Sequence, residues 1–348
     1  MRRTTLLVLL GLGVAPIAGA APPDGTELEF LWQLNLARSD PAAWAVANGL
    51  GALLDASAPM PPLAWNATLV GSAQAKAQEF IDHDYFGHDS PVTGSPNQLI
   101  VGVFGYPLAA NTGFFFGPGC TPCSYGSSGN TGVESLASSF GPSGGLFTTP
   151  RDAVWGLLGE ICDALGTPNS CGTLSHRNHL LGAAALTAPM IEAGAGHVIE
   201  FETGSMTHYW VLHTGFPAGN VATMPQFLTG VVYADGDGDG RYDAGEGLGG
   251  VTVQANALST TSNAAGDWSL PVPSGSYAVS CTGGAFAGTA TAADVAVADA
   301  NREVDCRSGI AQATVDFAPE PAQLGATWAA LAGLTALARW RSLKRTAP

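Results

Sequence analysis

The chain has 348 residues, 46% hydrophobic and only 12% charged, enough for ordinary folded cores and too apolar for a solvated disordered chain. Its formal net charge is −15, with Lys and Arg totalling 13. That balance repels phosphate backbones, so nucleic acid is excluded as a natural partner, and cations are favoured.

In chain order, residues 1–20 read as a signal peptide: Arg2 and Arg3, then an apolar run of about a dozen residues from Leu6 to Ile17, then Ala18-Gly19-Ala20. Glu27 to Arg38 has the apolar stripe of a helix, through Leu28, Leu31, Trp32 and Leu36, and Pro41 ends it. Asn66 caps a helix running to about Asp84, with Leu69, Ala73, Ala77, Phe80 and Ile81 inward. Thr149 to Ala164 is a further helix, and Met190 to Ile199 and Tyr209 to Phe216 are strands. Helices and strands mixed without a βαβ repeat indicate an α+β fold. Residues 217–226 are a Pro/Gly/Ala-rich linker. Beyond it, Phe227–Tyr233, Val251–Ala255, Trp268–Val272 and Tyr277–Cys281 are short strands between Gly, Asp and Ser turns, the pattern of a small all-β sandwich over residues 227–317.

Six cysteines fit an oxidising compartment. Proximity in sequence pairs Cys120 with Cys123, Cys162 with Cys171, and Cys281 with Cys306. Cys120-Thr-Pro-Cys123 reads as a structural clip; a redox pair or half of a zinc site are its alternatives.

All seven histidines fall between His83 and His213. Four phrases carry the chemistry: Tyr85-Phe-Gly-His88-Asp-Ser-Pro91, Gly132-Val-Glu134-Ser-Leu-Ala137, Ala153-Val-Trp-Gly-Leu-Leu-Gly-Glu160, and His176-Arg-Asn-His-Leu-Leu-Gly182. With Asn35 and Arg38, in this order, they resemble the CAP superfamily (cysteine-rich secretory, antigen 5 and pathogenesis-related proteins). The resemblance covers about residues 26–216, within a domain taken as 24–216. It implies a three-layer α-β-α sandwich in which His88, Glu134, Glu160 and His176 face a shared cleft. Ser135 and Ser175 depart from the family phrases, and residues 94–132 form a Gly-rich insertion. Imidazoles and carboxylates together suit zinc and similar borderline metals. A carboxylate beside a metal-bound water can take its proton, so Glu134 and His176 are also the catalytic candidates. His179 reads as a core or solvent residue, with assistance to a metal as its alternative; His213 reads as a core residue, and His197 and His208 as strand or turn residues.

Asp235-Gly-Asp237-Gly-Asp239-Gly240-Arg241-Tyr-Asp243-Ala-Gly-Glu246 fits the twelve-residue calcium-loop pattern, with carboxylates at the acidic positions and the Arg241 backbone carbonyl at the seventh. Its flanks are strand-like, which excludes a helix–loop–helix hand. From Gly230 to Val253, and again at Gly266-Asp-Trp and Gly275-Ser-Tyr, the segment resembles the SdrD B-like modules of bacterial surface adhesins, which implies structural Ca²⁺. Residues 318–348 open on Pro319-Glu-Pro321, continue through an apolar stretch of about 17 residues, near the lower limit for a membrane span, and close on Arg339, Arg341, Lys344 and Arg345. They resemble the PEP C-terminal sorting signals of Gram-negative bacteria, which implies at least transient membrane attachment.

The sequence therefore predicts an exported, surface-associated protein that binds a metal or a polysaccharide, lipid or protein ligand of the cell envelope or its surroundings. The alternative is a metal-assisted hydrolase or peptidase using the same His/Glu set, although no HExxH motif is present.

Overall fold

The computed structural model describes residues 23–107, 133–181, 190–215 and 225–316. The signal peptide, the Cys120–Cys123 pair, nearly all of the linker and the C-terminal sorting segment lie outside the described residues. None of the described helices is long and apolar enough to cross a membrane.

Helix α1 (Gly25–Ser39) starts at a capping box: Asp24 Oδ1 accepts from Glu27 N at 2.8 Å, and Glu27 Oε2 accepts from Asp24 N at 3.1 Å. Asp40 then caps α2 (Pro41–Ala47), whose first residue is the predicted helix-breaking proline. Asn66 caps α3 (Ala67–His83) by accepting from Thr68 N and Leu69 N. The helix stops where Asp84 turns left-handed at φ 49°.

The sheet runs β1-β3-β4-β2, from β1 (Ala64–Trp65), β2 (Glu134–Gly141), β3 (Glu192–Glu202) and β4 (Ser205–Gly215), with only the β1–β3 pairing parallel. Alternation along β4 divides its side chains between two layers of helix. Val211 and Tyr209 meet Ala73, Ala77 and Phe80 of α3. Trp210 stacks on Phe30 of α1 at 5.6 Å and donates to Phe147 O. Glycines make the α3 contact close: a Cβ on Gly194 would lie 2.0 Å from Val70 N, and one on Gly196 2.3 Å from Ala73 C. Any side chain at either position would push the helix off the sheet.

Helix α4 (Pro150–Gly159) is shorter than the predicted Thr149–Ala164. Thr149 is its cap, and it ends in a Schellman turn: Ile161 N donates to Gly156 O and Glu160 N to Leu157 O, with Glu160 left-handed at φ 52°. Ile161 then folds back into the core beside Gly159, where periodicity alone would have continued the helix. Helix α5 (Ser175–Leu180) follows.

The remaining strands are β5 (Gln226–Tyr233), β6 (Thr252–Ala255), β7 (Leu258–Thr261), β8 (Asp267–Val272), β9 (Gly275–Thr282), β10 (Thr289–Val297), β11 (Arg302–Arg307) and β12 (Thr314–Asp316). They form two four-stranded sheets, β10-β9-β6-β7 and β12-β11-β5-β8. Both sheets contribute to one core, which includes Leu228, Val253, Trp268, Val279 and Val304. The Cys281–Cys306 disulfide joins β9 of one sheet to β11 of the other. An α+β domain is thus followed by a β-rich region, and the two pack together. Leu28 and Trp32 of α1 meet Val231, Tyr233 and Tyr242, and Trp32 Nε1 donates to Asp305 Oδ2 at 2.8 Å.

Candidate functional site

The four predicted side chains form two dyads. His88 Nδ1 lies 2.7 Å from Glu134 Oε1, and His176 Nδ1 lies 2.9 Å from Glu160 Oε2. Both carboxylates are buried, while the histidine side chains are 39% and 23% exposed. Each dyad therefore has an interior base and an outward imidazole.

The first dyad is held from behind. Glu134 opens β2 and sits directly across from His213 of β4. His213 Nε2 meets Glu134 Oε2 at 2.8 Å, and its Nδ1 meets Ser72 Oγ at 2.7 Å. Ser72 gives its only hydroxyl proton to Leu69 O, so it accepts from His213 Nδ1. The contact between His213 Nε2 and Glu134 Oε2 then shares one further proton. Burial alone would raise the Glu134 carboxyl; hydrogen bonds from His213 and His88, with the charges of His213 and Lys76, outweigh it and hold the group below its usual range.

Lys76, only 1% exposed, fixes the loop that carries His88. Its Nζ donates to His88 O at 2.7 Å and to Tyr85 Oη at 3.1 Å, and sits over the Phe80 and Tyr85 rings. Burial pulls this ammonium down, opposed by the charges of Glu134, Glu79 and Asp89. Tyr85 Oη and Thr93 Oγ1 donate to Glu79, closing the tether.

The second dyad depends on the left-handed turn at Glu160. That conformation disfavours a residue with a Cβ by about 1–2 kcal/mol, and such positions cluster at functional sites. It delivers Oε2 to His176, while Oε1 accepts from Arg177 N at 2.9 Å. Arg177 reaches back to Leu158 O and Asn169 Oδ1 and so binds α5 to the end of α4. The Cys162–Cys171 disulfide, paired as predicted, closes the intervening loop.

His179 lies between the dyads. It is buried, with Nδ1 at Ser135 Oγ and Nε2 at Thr214 Oγ1, each 2.7 Å away. Burial pushes it down to about 3, the charges of His176 and Arg38 add to that, and Glu134 opposes it. Ser135 follows Glu134 in β2 and His179 shares α5 with His176, so this imidazole links the elements that carry the two dyads. Asn35 exchanges hydrogen bonds with Leu63, and Arg38 donates to Pro61 O and Leu180 O, so these two residues are structural ties. His197 and His208 lie on β3 and β4 as expected, 3.1 Å apart and away from both dyads' hydrogen bonds.

Sequence reasoning missed Lys76 and the role of His213. Lys76 falls within the apolar face of α3, between Ala73 and Ala77, where a lysine has no reason to be unless it is paired. His213 was expected to be a satisfied core residue, and it is, but its partner is the site carboxylate.

The Asp235–Glu246 loop joins β5 to β6. Carboxylate oxygens of Asp235, Asp237 and Glu246 lie within 4.8 Å of one another, as do those of Asp237, Asp239 and Asp243. Burial, then the charges of Asp239, Glu246 and Asp237, raise the Asp243 carboxyl. Arg307 donates to Asp235 Oδ2 at 2.9 Å, and Ala244 N donates to Glu29 of α1.

Residues 33–185 match the CAP family, described as the cysteine-rich secretory protein family. Among solved structures, an extracellular SCP-domain protein from Bacillus anthracis str. Ames is 18% identical over 56% of this chain, with a TM-score of 0.26. The match spans 45% of that protein's own length. Hookworm platelet inhibitor is 14% identical over 57% of this chain and 73% of its own, also with a TM-score of 0.26. No curated protein matches the sequence.

Proposed function

We propose, with residues 33–185 a CAP domain, that this is an exported binding protein whose cleft takes a zinc-type divalent metal on His88 and His176. One observation carries the reading: each imidazole has its Nδ1 held by its own buried carboxylate, at 2.7 and 2.9 Å. Carboxylates orient metal-binding histidines in this way, which makes Nε2 the ligating atom. The donor chemistry fits a borderline metal. In the cleft, Glu134 and Glu160 then orient the ligands rather than join them, because each holds the Nδ1 opposite the ligating Nε2. The same engagement weakens the case for Glu134 as the base of a hydrolase. A bound metal would supply an open position for a polar group of an envelope or extracellular ligand.

Zinc titration of the exported protein tests this. The expected result is that uptake is lost in a His88→Ala, His176→Ala double variant; equal uptake by wild type and variant overturns it.

The β-rich region completes the proposal as an SdrD B-like sandwich that displays the cleft. Asp235, Asp237, Asp239, Asp243 and Glu246, with the Arg241 carbonyl, are read as its calcium loop, supported by the close packing of their oxygens. The C-terminal segment would attach the whole to the cell surface.

A further inference from the structure

The disulfide beside the second dyad offers a different chemistry from the cleft. Cys171 Sγ, a His176 ring nitrogen and a Glu160 carboxylate oxygen all lie within 4.8 Å of one another. Cys171 N also donates to Glu160 O at 3.1 Å, so the backbone fixes the sulfur next to the dyad. In the disulfide this sulfur is a poor ligand. As a thiolate it is among the best zinc donors.

We propose that reduction of the Cys162–Cys171 disulfide converts this corner into a zinc site built from the Cys171 thiolate, His176 and Glu160, with the released Cys162 in the fourth position. Zn–N distances of about 2.0 Å and Zn–S distances of about 2.3 Å place tetrahedral ligands roughly 3.3–3.8 Å apart. The sulfur therefore needs to approach by at most about 1.5 Å, while the His176–Glu160 pair, 2.9 Å apart, opens by about 0.4 Å as zinc replaces its hydrogen bond. Cys162 contributes from a Cα 4.8 Å from that of Cys171. Cys162 is exposed, so an external dithiol can attack the bond. The S–S bond breaks, each cysteine gains a hydrogen, and the dithiol is oxidised to its own disulfide. Zinc then displaces the two thiol protons to solvent.

The zinc corner does not need the cleft reading; only its consequence does. Where His176 serves the cleft in the oxidised protein, the reduced protein diverts it, so thiol redox state and cleft occupancy are coupled.

The test uses the full chain with Cys120→Ser and Cys123→Ser, so that this pair contributes no thiolate. The protein is reduced anaerobically with a water-soluble phosphine, which leaves as its oxide, and titrated with Co²⁺. A thiolate-to-cobalt charge-transfer band is expected after reduction only, absent from Cys171→Ser and retained by His88→Ala. His176→Ala, which keeps both cysteines, is expected to weaken cobalt binding by at least about tenfold. The proposal is overturned by absence of the band once thiol labelling shows Cys162 and Cys171 reduced, by its persistence in Cys171→Ser, or by loss of the near-UV fold on reduction. Zinc uptake by the oxidised protein is read separately, so failure of the cleft reading and failure of this one are distinct.

Discussion

Replacing His213 with Leu should cost about 3 kcal/mol of folding stability although His213 never reaches the surface. The buried imidazole makes two bonds, to Glu134 Oε2 at 2.8 Å and to Ser72 Oγ at 2.7 Å. A charge-assisted bond contributes about 1.5–3 kcal/mol and a neutral one about 1 kcal/mol. Leucine leaves a buried carboxylate with one donor fewer but restores apolar volume, which holds the loss near the middle of that sum of about 2.5–4 kcal/mol. His213→Gln retains an N–H at similar reach and should lose only about 1 kcal/mol. The pH dependence has a definite sign. Glu134 is held below its unfolded value of 4.5, so its contribution is present above that pH and lost as pH falls through the folded value. Wild type and His213→Leu should therefore differ most near neutrality and converge in acid. Denaturant unfolding between pH 3 and 7 reads all three curves. A loss below about 1 kcal/mol for His213→Leu, or equal losses for Leu and Gln, would refute the assigned role.

Three further outcomes follow from the same geometry. Lys76→Met removes the donor that pins His88 O and Tyr85 Oη, and should cost about 2 kcal/mol in thermal unfolding while weakening zinc binding about tenfold. Calcium should raise the melting temperature of the whole protein, by about 2.7 kcal/mol of added stability at a hundredfold excess over Kd, and Glu246→Gln should abolish the difference between chelator and calcium. Glu27 and Asp267 are pushed up to about 7, chiefly by burial, from 4.5 and 3.8; their contribution is complete below the unfolded values and declines as pH rises to about 7, so Asp267→Asn should flatten the stability profile across that interval.

The Asn66 cap was legible in the sequence because it is a local device, set immediately before apolar periodicity. The Asp24 and Thr149 caps emerge only in the structure, Asp24 just ahead of the helix start expected and Thr149 at it. The Glu160 turn was not legible, because its Schellman bonds depend on Ile161 finding core space beside Gly159. At the site, His88, Glu134, Glu160 and His176 stood out by their phrases, yet their division into two dyads could not be read. That division comes from register: Glu134 faces His213 only because β2 and β4 pair as they do, and Ser72 reaches His213 only because Gly194 and Gly196 let α3 settle on β3. Pairing across 79 residues leaves no trace in local spacing. The clustering of the Asp235–Glu246 carboxylates was legible, since they lie within twelve consecutive residues, but the docking of their loop on Glu29 of α1 was not.

That docking changes how the two regions relate. Helix α1 is buried nearly all round, which for a helix in a soluble domain means that it is covered from two sides. On one side Phe30 and Leu34 enter the core of the α+β domain; on the other Leu28 and Trp32 meet β5 and Tyr242. Further along the same helix, Arg38 donates to Leu180 O, the last residue of α5, and α5 carries His176. The β-rich region thus bears on the second dyad through a single rigid element. Without it, Leu28 and Trp32 would face water and the Trp32 indole N–H would lose its acceptor, Asp305 Oδ2. A flexible tether would transmit nothing to the second dyad, whereas this arrangement makes the orientation of His176 depend on a surface that the α+β domain alone does not supply.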